Sequence, residues 1–149
     1  MSVIVEKAVV ATPALLAGLN DLLPQLSSTA VQLAMSDVER MVNSDAATLF
    51  VAMEEGNIVG TLTLVVFTIP SGQRAWIEDV VVHEDARGLG IGEALTLAAV
   101  NEARERGVRS IDLTSRPSRE AANALYQKFG FERRETNVYR LLVEPAEYE

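Results

Sequence analysis

Cysteine is absent from the 149 residues, which excludes disulfides and thiolate metal sites. Histidine occurs once, as His83, so neither a His-rich metal cage nor a catalytic histidine pair can be built, and no metal is expected. No apolar run reaches the ~18 residues that a membrane-spanning helix needs, so no membrane partner is expected. The opening MSVIVEKAVV lacks the basic start and long apolar stretch of a signal peptide, and cytoplasmic residence is the simplest expectation. Positive charge is scarce: 13 Lys and Arg stand against 21 Asp and Glu, a formal net charge of -8. Such a surface repels nucleic-acid backbones, so no nucleic-acid partner is expected. The same balance suits a cationic partner such as an amine, or serves solubility alone.

Internal repeats and low-complexity tracts are also missing. Hydrophobic residues make up 48% and charged residues 23%, an ordinary globular composition. The length suits one domain, residues 1–149, which buries roughly two-thirds of the surface of the unfolded chain. Residues 3–10 read as a strand. Thr12 and Pro13 then open a helix as cap and first residue, with Leu15, Leu19, Leu22 and Leu26 at helical spacing and Pro24 ending or kinking it. Ser36, Asp37, Val38 and Glu39 fit a capping box for a short second helix to about Asn43. Three strands follow, at residues 48–53, 58–69 and 75–82, punctuated by Glu54-Glu55-Gly56-Asn57 and Pro70-Ser71-Gly72. They read as an antiparallel meander. A helix from the glycine-rich segment to Arg106, a strand at 109–114 and a helix at 118–129 capped by Ser118 come next. Strands at 131–135 and 137–143 would close the chain. The fold class is α/β (α+β): one mixed, mostly antiparallel sheet of about seven strands with helices on both faces.

Between the fourth strand and the third helix runs Arg87-Gly88-Leu89-Gly90-Ile91-Gly92. A helix N-terminus offers unpaired N–H groups and about half a positive charge. Glycines let backbone approach an anion, and Arg87 adds a guanidinium matched to phosphate oxygens. Together these predict a diphosphate cradle. A P-loop is excluded, because Gly92 is followed by Glu93 and Ala94 rather than Lys and Ser/Thr. A dinucleotide fingerprint wants the first strand of a parallel array before it, although Asp112 lies at the distance of its ribose-binding acid.

Ile77-Glu78-Asp79-Val80-Val81-Val82, followed by Arg87 and the glycine loop, resembles motif A of the GNAT superfamily of N-acetyltransferases. Arg87, Gly90 and Gly92 match its Arg/Gln-x-x-Gly-x-Gly/Ala core. Asn123-Ala124-Leu125-Tyr126, with Phe129-Gly130-Phe131 after it, resembles motif B. The resemblance spans residues 47–143. It implies a sheet splayed between strands four and five, with acetyl-CoA entering the splay as acyl donor. Its pyrophosphate would lie on Arg87, Gly88, Leu89, Gly90, Ile91 and Gly92. Its pantetheine arm would pair with the backbone of Val80, Val81 and Val82, and Asn123 would join the cofactor-binding set.

Acetylating an amine requires the neutral amine, and an ammonium of pKa about 10 leaves less than roughly 1% ready at neutral pH. The leaving thiolate also needs a proton. Tyr126 has two readings, the acid that protonates the thiolate or an aromatic wall of the cleft; the resemblance implies the acid. Arg119, Asn123 and Tyr126 share a helical stripe, with Ala121, Ala124, Leu125 and Phe129 expected in the core opposite. Glu78 also has two readings: the base, directly or through water, or a carboxylate that pairs with an arginine or lines a wet cleft. Alternation puts Trp76, Glu78, Val80 and Val82 on one face and Ile77, Asp79 and Val81 on the other. Asp79 is the weaker base. His83 serves as a proton relay or simply lies at the surface. Arg116 and Arg119 bind CoA phosphates, bind an anionic group of the acceptor, or are solvated. Arg133 and Arg134 read as a solvated face.

The expected activity is transfer of acetyl from acetyl-CoA to a primary amine of a small molecule in a ternary complex, by a monomer or homodimer. A protein or peptide amine is the second acceptor class, and a non-catalytic acyl-CoA sensor the alternative to an enzyme. The acceptor region of such folds falls here on residues 23–41 and 69–74, which hold no diagnostic side chain.

Overall fold

A computed structural model describes residues 2–143. The chain forms two compact units, the first ending at Thr114 and the second beginning at Ser115. The first unit contains, in order, β1 (Val3–Lys7), α1 (Pro13–Leu26), α2 (Met35–Val42), β2 (Ala47–Glu54), β3 (Asn57–Ile69), β4 (Gly72–Val82), a 3₁₀ turn (Glu84–Ala86), α3 (Ile91–Glu105) and β5 (Ser110–Asp112). The second unit holds α4 (Glu120–Lys128). Among the described residues no helix is long and apolar enough to cross a membrane.

The expected signals start the helices. The Thr12 hydroxyl accepts from the Leu15 N–H at 3.1 Å, and Pro13 takes the first helical position, where its missing N–H costs nothing. Pro24 removes one bond from α1, and the helix stops two residues later at Leu26. α2 begins at Met35, one residue before the expected Ser36. Asp37 accepts from the Ala34 N–H at 2.8 Å, so only one half of a capping box exists: alanine has no acceptor to return.

The sheet order is β1-β2-β3-β4-β5, antiparallel at the first three junctions and parallel between β4 and β5. Glu55 and Gly56 both take positive φ, the conformation that a tight β2–β3 hairpin turn demands. Leu15 and Leu19 of α1 and Val38 of α2 pack on Leu49 and Val51, covering one face of the sheet. α3 covers the other. Gly60 of β3 lies so close beneath it that a Cβ there would stand 3.0 Å from Ile91 and 3.2 Å from Leu95. Helices on both faces therefore follow from the two-sided burial of β2 and β3.

The two closing strands are absent among the described residues, so the sheet has five strands rather than about seven. A strand needs a ladder partner as well as β-forming residues. Val138, Tyr139, Leu141, Leu142 and Val143 are all at least 70% exposed instead of packed. Phe131 is recruited by the end of α4. Its N–H reaches the Tyr126 carbonyl at 3.0 Å, while the N–H of Gly130, at φ +99, reaches Gln127 at 3.0 Å. That is a Schellman cap, and the Tyr126–Phe131 ring contact, centroids 5.8 Å apart, is its apolar clasp. α4 also starts at Glu120, without a cap from Ser118. The Arg116 carbonyl holds the preceding turn, accepting from the Arg119 N–H at 3.0 Å and from Asn123 Nδ2 at 2.9 Å.

Candidate functional site

β4 carries the site's central irregularity. Thr63 pairs with Glu78 and Thr61 with Val81, so Leu62 alone stands opposite both Asp79 and Val80. The extra residue is a β-bulge, with Asp79 in the left-handed region at φ 50. Aspartate tolerates that region better than most residues. The bulge overturns the simple alternation expected for this strand. Paired residues share a face, so Glu78 and Val81 lie on the same face as Thr63 and Thr61, the face that α1 and α2 cover. Val82, paired with Gly60, lies on the face of α3. Period-two counting cannot detect an inserted residue; Asp79 within an apolar strand was the only signal.

The parallel ladder to β5 is short. It runs from Arg74–Ser110 to Trp76–Asp112 and stops. From residue 77 to 82, β4 has no strand partner on that side among the described residues, because its ladder to β5 ends at Trp76–Asp112. An open edge of this kind invites pairing by an extended, amide-containing ligand. It includes Val80, Val81 and Val82.

The edge leads through the 3₁₀ turn into the glycine loop. Arg87 is exposed, and its Nε–H reaches back to the Val82 carbonyl at 3.4 Å. Gly88 and Gly90 take φ of +83 and +78, and a Cβ on either would meet nothing within 4 Å. The glycines are thus required by backbone conformation and face open space, unlike Gly60. Leu89 is 49% exposed, while Ile91 is buried and anchors the helix start. The first main-chain bond of α3 runs from the Ala94 N–H to the Gly90 carbonyl at 3.0 Å, so the N–H groups of Ile91 and Gly92 have no partner within the helix. Positive-φ glycines, free helix N–H groups, an arginine and room in front of them fit a diphosphate.

Glu78 is exposed on the α1–α2 face and makes no hydrogen bond or ion pair among the described residues. Of the two alternatives to the base, pairing with an arginine is not seen among the described residues, and an exposed carboxylate is. In the second unit the burial of α4 reverses the expectation. Tyr126 is its buried residue, while Ala121 and Ala124 are exposed. A large ring gains more from burial than a methyl group. Burial pushes the Tyr126 hydroxyl above the ordinary value of 10.0, and the Arg119 guanidinium opposes it weakly. The hydroxyl therefore keeps its proton throughout the neutral range. Asn123 spends its amide N–H on Arg116 and has its side-chain oxygen left for a ligand. His83 is half-buried, with Nε2 3.4 Å from Asp21 Oδ2 and Nδ1 3.7 Å from Asp85 Oδ2. Among the described residues no three metal-ligating side chains stand together.

The acetyltransferase (GNAT) family model matches residues 17–131. The chain belongs to the GNAT acetyltransferase family. The match crosses both units and takes in the bulged strand, the glycine loop and α4. A mycothiol acetyltransferase of Amycolatopsis mediterranei (strain U-32) is 37% identical over 120 residues, covering 77% of this chain and 40% of that protein. Acetyltransferase SG1711 of Sodalis glossinidius (strain morsitans) is 30% identical over 114 residues, covering 75% of this chain and 78% of that one. The crystal structure of an aminoglycoside acetyltransferase, HMB0005, from an uncultured soil metagenomic sample superposes with a TM-score of 0.81 at 25% identity, covering 97% of this chain and 100% of that one. The GNAT chain spans less than half the length of the mycothiol acetyltransferases it matches.

Proposed function

We propose that this GNAT chain, acting as a single domain, transfers an acetyl group from acetyl-CoA to a primary amine of a small molecule. The observation that carries the reading is the edge of β4, unpaired from residue 77 to 82, running into a glycine loop at a helix N-terminus. The donor's diphosphate rests on Arg87, Gly88, Leu89, Gly90, Ile91 and Gly92. Its pantetheine amides pair along Val80, Val81 and Val82, and Asn123 adds a side-chain oxygen. The bulge at Asp79 turns backbone N–H groups out of the ladder, where they stabilise the oxyanion as the amine attacks the thioester carbonyl. Glu78, free and exposed on the α1–α2 face, takes the ammonium proton directly or through water. Tyr126, at the motif position of the acid and fully protonated at neutral pH, supplies the proton to the departing thiolate. Attack is direct in a ternary complex, and the absence of cysteine is in keeping with this because it excludes a thioester on the protein.

A small acceptor is supported by the names of the relatives, which specify mycothiol and aminoglycosides. A cavity of about 280 Å³ lined by Asn20, Leu23, Pro24, Ala30, Val31 and Gln32 also supports it, five of these six residues falling in the 23–41 segment expected to meet the acceptor. The test is a panel of amino sugars, aminoglycosides, polyamines, amino acids and peptide N-termini, followed by acetyl-CoA consumption. Turnover with a small amine is expected. CoA binding with no turnover across the panel would leave the acyl-CoA sensor as the better reading.

A further inference from the structure

The glycine loop has few restraints of its own. A Cβ on Gly88 or Gly90 would meet nothing within 4 Å, and among the described residues the Arg87 side chain ties to this stretch through its 3.4 Å bond to the Val82 carbonyl. Its approach is set by the 3₁₀ turn that precedes it, and that turn is held from α1. Asp21 and Gln25 stand one helical turn apart on α1. Gln25 Oε1 accepts from the Glu84 N–H at 2.9 Å, and its amide is oriented by Nε2 donating to the Asp21 carbonyl at 3.5 Å. His83 Nδ1 accepts from the Asp85 N–H at 3.1 Å. Its Nε2 faces Asp21 Oδ2 at 3.4 Å, and its Nδ1 also lies 3.7 Å from Asp85 Oδ2, so the ring is held between α1 and the turn. Two of the first N–H groups of the turn are thus capped by side chains, and both caps are fixed by the same turn of α1. On its other side, that stretch of helix grips the segment over the cavity, where Asn20 accepts from the Leu33 N–H at 2.7 Å and donates to the Leu33 carbonyl at 3.2 Å.

We infer that His83, Asp21 and Gln25 are positioning residues that preset the glycine loop for the CoA diphosphate. The inference rests on the acetyl-CoA reading of that loop. Presetting lowers the ordering cost of donor binding, so the effect belongs in donor affinity and not in the chemical step. As positioning residues, the three act through the 3₁₀ turn rather than on the reacting atoms.

Calorimetric titration with CoA, together with donor KM and kcat on an accepted amine, tests this in the parent and in His83→Leu, His83→Asn, Asp21→Ala and Gln25→Ala. His83→Leu is expected to weaken CoA about tenfold and raise the donor KM by the same factor, with kcat at saturating donor retained. His83→Asn places a side-chain oxygen near the position of Nδ1, restores the cap and recovers most of the affinity. Asp21→Ala and Gln25→Ala each cost about two- to fivefold. Parental CoA affinity in a folded His83→Leu variant, or a loss confined to kcat, would overturn the inference. If His83→Leu fails to fold, the two α1 variants carry the test, and parental affinity in both overturns it. A parent that binds no CoA would overturn the acetyltransferase reading itself, a result distinct from variants that bind as the parent does.

Discussion

In the proposed reaction, with Tyr126 as acid and Glu78 as base, the two residues make opposite demands on their surroundings. An acid that must hold its proton at neutral pH benefits from burial, and Tyr126 is 8% exposed. The proposed base must be reachable by the acceptor or by water, and Glu78 is exposed. Tyr126→Phe keeps the ring and its contact with Phe131 but removes the proton. With an accepted amine, kcat is expected to fall by roughly 10²–10⁴, and less with a thioester whose thiolate is less basic. A loss under about tenfold, equal for every thioester, would make Tyr126 an aromatic wall only. The same residue has an alkaline signature. Its pKa is raised on folding, so the folded chain holds that proton more tightly than the unfolded chain. The stabilisation is whole below the unfolded value of 10.0 and declines as pH rises through and above it. Urea midpoints measured from pH about 8 to 11 should fall more steeply in the parent than in Tyr126→Phe. The burial of Tyr126 was not legible in the sequence, because helical spacing assigns a residue to a stripe without saying which stripe is covered. Ala121 and Ala124, expected in the core, are on the open side.

Single elements were easiest to read where a local signal has a local cause. Thr12-Pro13 starts α1, Gly107 stops α3 with φ +71, and Glu55-Gly56 turns the β2–β3 hairpin. They were hardest to read where the cause is a partner elsewhere. Residues 137–143 have strand composition but no ladder, and Phe131 has a cap to complete. The bulge in β4 is an intermediate case, visible only as a carboxylate between valines. It yields an element-scale prediction. Asp79→Val forces a β-branched residue into the left-handed region and is expected to cost about 1–2 kcal/mol in urea unfolding. Asp79→Gly, which adopts φ 50 freely, should retain or slightly raise stability and keep kcat. Equal stability in the two variants would argue against the strained bulge.

Charge acts at the scale of the whole molecule. The net charge of -8 attracts a cationic amine and repels the anionic donor. At saturating acetyl-CoA, kcat/KM for a cationic acceptor is expected to fall a few-fold, roughly two- to fivefold, between low salt and about 0.5 M NaCl as the attraction is screened. An unchanged value would place acceptor recognition in local contacts alone. The composition made this balance plain, whereas the acceptor region carried no diagnostic residue and only the folded chain revealed a cavity beside α1. The central claim is that the loop after β4 cradles the diphosphate of CoA, and titration calorimetry with CoA on the parent, Gly90→Ala and Gly90→Asp addresses it most directly. Gly90→Ala carries the strain of a side chain at φ +78 without added charge, and it faces open space. The parent should bind CoA, Gly90→Ala modestly less well, and Gly90→Asp roughly a hundredfold less well, because its carboxylate stands where the phosphate must sit. Equal CoA affinity in the parent and a folded Gly90→Asp variant would contradict the account.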